Sequence, residues 1–158
     1  MAEYRAVLDS PLPGVPSLGL CLRQGRLVAI DFLSSATAPF VTPGAEPAAQ
    51  MLRRYLDGRS VAPSAAVSLQ PPGTPFQQAV WQHLQCIPFG SVCTYGELAR
   101  RLNSAPRAVA GACRANPLPL LIPCHRVVAS NGVGGYLGQT SGHGLALKQW
   151  LLQHEGYV

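Results

Sequence analysis

Apolar and polar positions alternate in three short runs near the start of the chain, "EYRAVLDS", "SLGLCLR" and "RLVAIDFL", separated by the turn signals "PLPGVP" and "QG". A period of two predicts strands, and the tight separators predict that they form a small antiparallel sheet. The pattern then turns helical over residues 45–56, with Pro47 in the first turn, where its missing N–H costs little, and Asp57-Gly58 near the end. "SVAPSAAVSLQPPGTP" offers one further strand and then a Pro-Gly break, which puts a domain boundary at about residue 72.

Beyond the break, "PFQQAVWQHLQCI" brings Phe76, Val80, Trp81 and Leu84 to one face, as a buried helix would. "TYGELARRL" opens with Thr94 three residues before Glu97, a capping box, and runs to Leu102. "NS" makes a very short turn, and "SAPRAVAGACRAN" predicts a second helix with Ser104 as N-cap and Asn116-Pro117 as its stop. Two short helices around a tight turn suggest a helix-turn-helix. The expected fold class is α+β. Residues 1–72 form a small sheet-plus-helix domain with a Pro-rich connection, and residues 73–158 form a mainly helical domain. No internal repeat is evident.

Composition narrows the class. A chain of 158 residues with 47% hydrophobic content can bury one good core, and it holds no apolar run long enough for a transmembrane helix. The start lacks the layout of a secretory signal, so the expected location is the cytosol or another reducing compartment, the nucleus if the source is eukaryotic. Five cysteines, at positions 21, 86, 93, 113 and 124, do not make a disulfide framework there. Each is core filler, ligand or nucleophile.

Charge changes the picture once it is split along the chain. Residues 1–58 hold five basic and five acidic side chains, whereas residues 59–158 hold seven basic against only Glu97 and Glu155, so the net +5 belongs to the C-terminal part. Such asymmetry suggests a polyanionic partner, nucleic acid before membrane; a merely soluble basic surface is the alternative. The second helix of the pair is unusual for a DNA reader. Between Arg107 and Arg114 it carries only Ala108, Val109, Ala110, Gly111, Ala112 and Cys113, with no Asn, Gln or Glu to read base edges. Its small surface and two same-face arginines suit sequence-independent contact with a backbone through phosphates. They equally suit an Ala/Gly helix packed in the core with its arginines snorkelling, and both readings stand.

The candidate chemistry lies in "PLPLLIPCHRVVAS". A thiol is mostly protonated at neutral pH unless a nearby cation or base favours the nucleophilic thiolate, and Cys124 has His125 and Arg126 beside it. Neighbours in an extended chain point to opposite faces, so His125 reaches Cys124 only through a bent backbone or a bridging water. An imidazole in that role needs an orienting acceptor. Elimination favours Glu155, since Glu97 is committed to its capping box, although a backbone carbonyl or an Asp from the other domain could also serve. Cys21, Cys86, Cys93 and Cys113 are expected to be core filler. A zinc site is disfavoured because there is no C-x-x-C pair and His83 with Cys86 is at most half a site; His143 and His154 are expected at the surface.

At these residues the chain resembles a known family. "IPCHRVV", preceded by "RAVAGACRANPLPLL" and followed by "GYLG" and "LALKQWLLQHEGY", is similar to the active-site region of the O6-alkylguanine-DNA alkyltransferases. The likeness runs from about "GTPFQQAVWQHLQCIPFG" to the C-terminus; upstream it is mostly one of layout. The resemblance implies that Cys124 takes an alkyl group irreversibly from O6 of guanine, with Glu155, His125 and a water as the relay that deprotonates it. It implies Asn116 as a hinge residue, Arg107 as a finger in the base stack, and Tyr95 as the side chain that crowds the neighbouring phosphate. Tyr136 with the backbone of Leu137 and Gly138 would wall the guanine pocket, and the carbonyls of Cys124 and Val127 would accept the guanine amino group. Arg107, Arg114, Tyr95, Ala108 and Gly111 would meet the DNA.

No cofactor or metal is implied. The implied partner is double-stranded DNA, bound through the minor groove with little sequence preference by a monomer, with clustering on DNA left open and no membrane role. Flipping the base out is required, because the target atom lies within stacked DNA and the cysteine behind prolines. Three departures stand out. The spacing from Tyr95 to Arg107 is about two residues shorter than usual, "LGQTSGHG" makes a loop about five residues longer, expected as a flexible lid, and Cys21 lacks the partners of an N-terminal zinc site. A non-catalytic lesion-binding protein with the same pocket is the alternative, disfavoured because Cys124 is present; a sequence-specific regulator is disfavoured by the bare second helix.

Overall fold

The computed structural model describes residues 3–59 and 68–157 and divides the chain into two compact units, Met1–Pro72 and Gly73–Val158. In the first unit the alternating runs form β1 (Ala6–Asp9), β2 (Ser17–Arg23) and β3 (Arg26–Leu33), with a short β4 (Phe40–Val41). They make one antiparallel sheet in the order β3-β2-β1-β4. The "QG" signal is a two-residue hairpin turn: Gln24 and Gly25 have φ of 53° and 76°, the doubly positive pair that matches the twist of flanking strands. Leu18, Leu20, Leu27 and Ile30 are buried. The helix α1 (Glu46–Leu56) buries Ala48, Ala49, Met51, Leu52 and Tyr55 at helical spacing, after a 3-10 turn over Pro43–Ala45. The further strand expected in "SVAPSAAVSLQPPGTP" lies largely outside the described residues. Within them, Leu69 makes a lone parallel bridge to Leu27.

In the second unit α2 (Pro75–Gln85) begins with a full capping box in which Thr74 and Gln77 satisfy each other's backbone N–H, a signal the sequence reading passed over. Val80, Trp81 and Leu84 are buried, and the Trp81 indole donates to the Ala112 carbonyl at 2.9 Å. Phe76 is 36% exposed, against expectation, because it sits in the first turn, before the helix meets its neighbours. The helix-turn-helix is present as α3 (Tyr95–Arg101) and α4 (Pro106–Arg114).

Three details of that pair correct the sequence reading. Thr94 accepts from Glu97 N, but its hydroxyl donates to the Glu97 carboxylate, so the reciprocal bond of a capping box is replaced by a side-chain bond. Ser104 is not the N-cap; Ala105 is, without a side-chain cap, and Pro106 in the first turn removes one donor that a cap would have satisfied. The turn is residues 102–105, of ordinary length, because both helices are shorter than their pattern implies. Asn103 makes this possible by adopting φ of 52°.

A parallel pair, β5 (Cys93–Thr94) with β6 (Val127–Val128), joins the start of α3 to the "PCHR" segment. The longest helix, α5 (Gly142–His154), closes the unit. Its buried stripe, Gly144, Leu147, Lys148, Leu151 and Leu152, has core spacing with a lysine in the middle.

The left-handed turn residue gives the first prediction. Asn103→Gly leaves stability within about 0.5 kcal/mol, whereas Asn103→Val, β-branched at positive φ, lowers it by about 1–2 kcal/mol. Urea unfolding measures both, and equal stabilities would refute the strain argument.

Candidate active site

The reactive segment bends twice. Pro123 has φ of −81° and ψ of 67°, and Cys124 N donates to the Ile122 carbonyl at 2.8 Å, an inverse γ-turn. Cys124–Arg126 then form a 3-10 turn. With three residues per turn, successive side chains diverge by about 120° rather than pointing to opposite faces. The extended-chain geometry is therefore replaced, and each member of Cys124-His125-Arg126 faces a different neighbour.

Cys124 is buried and lines a cavity of about 180 Å³. Asn116 holds its thiol: Nδ2 donates to Sγ at 3.3 Å and to the Ile122 carbonyl at 2.7 Å, while Oδ1 accepts from Leu118 N at 2.9 Å. One amide thus fixes both the loop and the sulfur. Burial pushes the thiol pKa up, and the Asn116 bond and the Lys148 charge oppose the shift.

His125, wholly buried, lies against Glu155, Nε2 to Oε2 at 2.5 Å. Desolvation lowers the imidazole pKa, with Glu155 opposing, so the ring is neutral near pH 7 and donates its Nε2–H to the carboxylate. The lone pair then belongs to Nδ1, the tautomer a general base needs. Arg126 grips the same carboxylate, Nε to Oε1 at 2.7 Å and Nη2 to Oε2 at 3.2 Å, and Gly90 N donates to Oε1 at 3.2 Å. Nη1 of Arg126 donates to the Ile87 carbonyl at 2.7 Å. Glu155 therefore accepts from four donors. Arg126, expected beside the thiol as an activating cation, is committed to Glu155 instead.

The rest of the cavity comes from three elements. Tyr95 begins α3, and Cys113 and Arg114 end α4. Gly135–Thr140 supply the third wall, where Tyr136 and Gln139 exchange backbone bonds of 2.8 and 2.9 Å around a tip formed by Leu137 and Gly138. Both tip residues have positive φ, 53° and 76°, so the expected flexible lid begins as a tight two-residue hairpin. Gln139 Oε1 accepts from Gly144 N at 2.7 Å, which ties the hairpin to α5. A Cβ on Gly144 would come within 2.6 Å of the Tyr136 carbonyl, so only glycine allows this approach.

The structure brings Cys124, Tyr95, Tyr136, Leu137, Gly138 and Arg114 to one cavity, places Asn116 on the Cys124 sulfur, and pairs His125 with Glu155. It does not bring Arg107, Ala108 or Gly111 there; these lie on the exposed face of α4, where a Cβ added to Gly111 would meet nothing. The core-packed alternative for α4 therefore holds only for Val109 and Ala112. The Val127 carbonyl is already engaged, accepting from Lys148 Nζ at 2.6 Å. Cys113 and Lys148 are the residues the sequence reading missed. Cys113 is half-buried against the cavity, and Cys86 is exposed, so neither is core filler. Lys148 was detectable as a charge in an apolar stripe. Among the described residues no group of three or more His, Cys, Asp or Glu is placed to hold a metal ion.

Charge is sorted with equal clarity. Arg126, Lys148 and Glu155 are buried, while Arg100, Arg101, Arg107 and Arg114 are exposed. All the exposed arginines described after residue 73 thus belong to α3 and α4.

Fold and site define a helix-turn-helix protein with a buried cysteine, followed by a buried histidine–glutamate pair, that opens onto a small cavity. The chain belongs to the 6-O-methylguanine DNA methyltransferase family, whose DNA binding domain matches residues 75–157. The methylated-DNA–protein-cysteine methyltransferase of Salmonella typhimurium is 51% identical over 89 residues, covering 54% of this chain and 49% of its own. That of Mus musculus is 37% identical over 173 residues, covering 96% and 80%. The Mycobacterium tuberculosis OGT in complex with DNA superposes with a TM-score of 0.76 at 31% identity, covering 97% of this chain and 92% of that one. The chain spans about half the length of several curated relatives that it matches.

The Glu155 network generates the second prediction. Arg126→Leu strands a buried carboxylate and costs about 3–5 kcal/mol, whereas Arg126→Leu combined with Glu155→Leu costs less than the single change. Urea unfolding at pH 7 checks the ordering, and the reverse order would show that Arg126 does not compensate Glu155.

Proposed function

We propose that this protein repairs DNA by flipping an O6-alkylguanine out of the duplex and transferring its alkyl group once, irreversibly, to Cys124. The observation that carries the reading is a buried thiol on the wall of a small cavity, held by Asn116, with a neutral His125 oriented by Glu155 as its neighbour in the chain. The cavity is smaller than the roughly 300–1,000 Å³ of drug-sized sites and suits one base with a small substituent.

The chemistry follows from the charges. Cys124 rests as a thiol because it is buried. His125, through a water, takes the sulfur proton, and Glu155 stabilises the imidazolium that forms. The thiolate attacks the alkyl carbon, a C–S bond forms, the C–O6 bond breaks with its electron pair on guanine, and the guanine anion takes up a proton. Backbone N–H groups at the Leu137-Gly138 tip serve the leaving oxygen, since the hairpin's own bonds use those of Tyr136 and Gln139. The Val127 carbonyl can accept from the guanine amino group only by sharing with Lys148, and the Cys124 carbonyl is the other acceptor.

Binding is carried by α4 and its arginines. The exposed small-residue face of Ala108 and Gly111 lets backbone approach backbone through the minor groove, Arg107 and Arg114 flank it, and Arg100 and Arg101 add phosphate contacts. Arg107 fills the space the base leaves, and Tyr95 crowds the neighbouring phosphate. Little sequence preference is expected from a helix without base-reading side chains. Action as a monomer, and acceptance of O4-alkylthymine, belong to the same reading.

Two predictions test it. Incubation with an oligonucleotide containing O6-methylguanine adds one methyl to the Cys124 peptide, saturating at one per protein by intact mass, and Cys124→Ala binds the same DNA without mass gain. Binding by the unaltered protein without mass gain would instead establish a lesion-binding protein. Arg107→Ala slows repair of duplex DNA far more than reaction with free O6-benzylguanine, and equal losses on the two substrates would remove the finger role.

A further inference from the structure

Among the described residues that line the cavity, Arg114 is the one with a charge, and it stands apart from the Glu155 network. It ends α4 at the cavity mouth, and its stem crosses to the hairpin. A Cβ placed on Gly138 would lie 3.3 Å from Nε and 3.5 Å from Cδ of Arg114, so the missing side chain is what lets the arginine rest on the tip. Its guanidinium makes no hydrogen bond or ion pair with another described residue. No carboxylate of this unit is placed to supply one. Glu97 and Glu155 are the only acidic residues after Asp57; the first is bonded to Thr94 and the second accepts from four donors.

The wall that continues from this contact is polar as well. Gln139 and Thr140 follow Gly138 and line the same cavity. Gln139 Oε1 accepts from Gly144 N at 2.7 Å, which orients the amide and leaves its NH2 as the untied end, and the Thr140 hydroxyl makes no hydrogen bond to the described residues. Both belong to "LGQTSGHG", the stretch about five residues longer than usual, so this wall stands where the chain departs from the family's common layout. The direction of the reaction says which part of a substrate meets it. In the displacement proposed above, sulfur, alkyl carbon and O6 stand on one line. Any atom beyond the reacting carbon is turned sideways from that line, towards the cavity walls, whose polar stretch offers a guanidinium, an amide NH2 and a hydroxyl.

We infer that Arg114, Gln139 and Thr140 form a subsite for the far end of the alkyl group and favour groups that end in a carboxylate, with O6-carboxymethylguanine as the smallest such substrate. For its use in catalysis this rests on the repair reading; the recognition itself is a matter of binding. The carboxylate is a spectator. The thiolate attacks the methylene carbon, a C–S bond forms, the C–O6 bond breaks with its electron pair on guanine, the guanine anion takes up a proton, and Cys124 is left S-carboxymethylated. A guanidinium suits this partner because its planar fork matches a carboxylate, and a pair at a partly desolvated cavity mouth is worth more than one in open water.

The test compares two duplex oligonucleotides of one sequence at one ionic strength, carrying O6-carboxymethylguanine or its neutral isostere O6-carbamoylmethylguanine. With Cys124→Ala, which cannot accept the group, Kd is expected to be about three- to tenfold lower for the carboxymethyl DNA, the span of a partly exposed charge-assisted bond. Adding Arg114→Gln is expected to bring the two constants together, Arg114→Lys to keep part of the difference, and Thr140→Val to reduce it less than Arg114→Gln does. In the protein with Cys124 intact, the rate of mass gain on the Cys124 peptide is expected to show the same preference. Equal affinities for the two DNAs overturn the inference. So does an Arg114→Gln change that weakens both in equal measure, which would make Arg114 a phosphate contact only. If Cys124 takes no group from any O6-alkylguanine DNA while the affinity ratio still follows Arg114, the subsite stands and the repair function falls. Methyl transfer without a carboxymethyl preference has the opposite meaning.

Discussion

The carboxylate of Glu155 is the constraint on which the rest of the reactive unit depends. A buried carboxylate is tolerable only when its lone pairs are filled, and here His125, two nitrogens of Arg126 and the Gly90 amide fill them. Each donor fixes a different part of the chain: the 3-10 turn, the segment after α2 through the Ile87 carbonyl, and the loop leading to β5. Glu155 is also the C-cap residue of α5, followed by Gly156 at φ of 80°, so the end of the longest helix and the orientation of the imidazole are one structural decision.

That network explains why the two buried cations are not equivalent. Arg126 has a planar fork that matches Glu155, and its charge is spent on holding that carboxylate, and through it the His125 ring, in place. Lys148 is a point charge held by carbonyl dipoles, which orient it without cancelling it. The outer face of the unit divides the labour in the same way. The arginines of α3 and α4 remain in water, where they lose nothing to desolvation and can exchange solvent for phosphate.

How much of this was legible in the sequence depended on whether the determinant was local. The alternating runs, the 45–56 helix and the helix pair follow from period and punctuation, which act over a few residues. The pairing of His125 with Glu155 was reachable because acidic residues are so few that elimination left one candidate after residue 59 once Glu97 was set aside. The turn at Asn103 and the cap at Ala105 were misplaced because Ser104 carries the commoner signal, and a left-handed Asn leaves no pattern of its own. The partner of Arg126 was missed for a different reason: "CHR" reads as three neighbours in a row, and only the 3-10 turn they form sends their side chains apart. Lys148 and Cys113 were visible letters whose meaning required knowing which face of α5 and α4 meets the cavity.

The arrangement also bears on a tension in the proposed single-use chemistry. An acceptor that reacts once should not be spent on stray electrophiles, yet it must be a strong nucleophile when the correct base arrives. Burial meets the first half by holding Cys124 as a thiol, and the same cause keeps the His125 imidazole neutral. The second half needs only a local change. On the proposed reading a base in the cavity would exclude solvent between the hairpin tip and the sulfur, and in that drier space each preset dipole would act more strongly on the developing thiolate. The strained tip at Leu137 belongs to this logic. A leucine held at φ of 53° and 46% exposed puts an apolar surface at the cavity mouth, and such a surface gains most when a flat ring covers it.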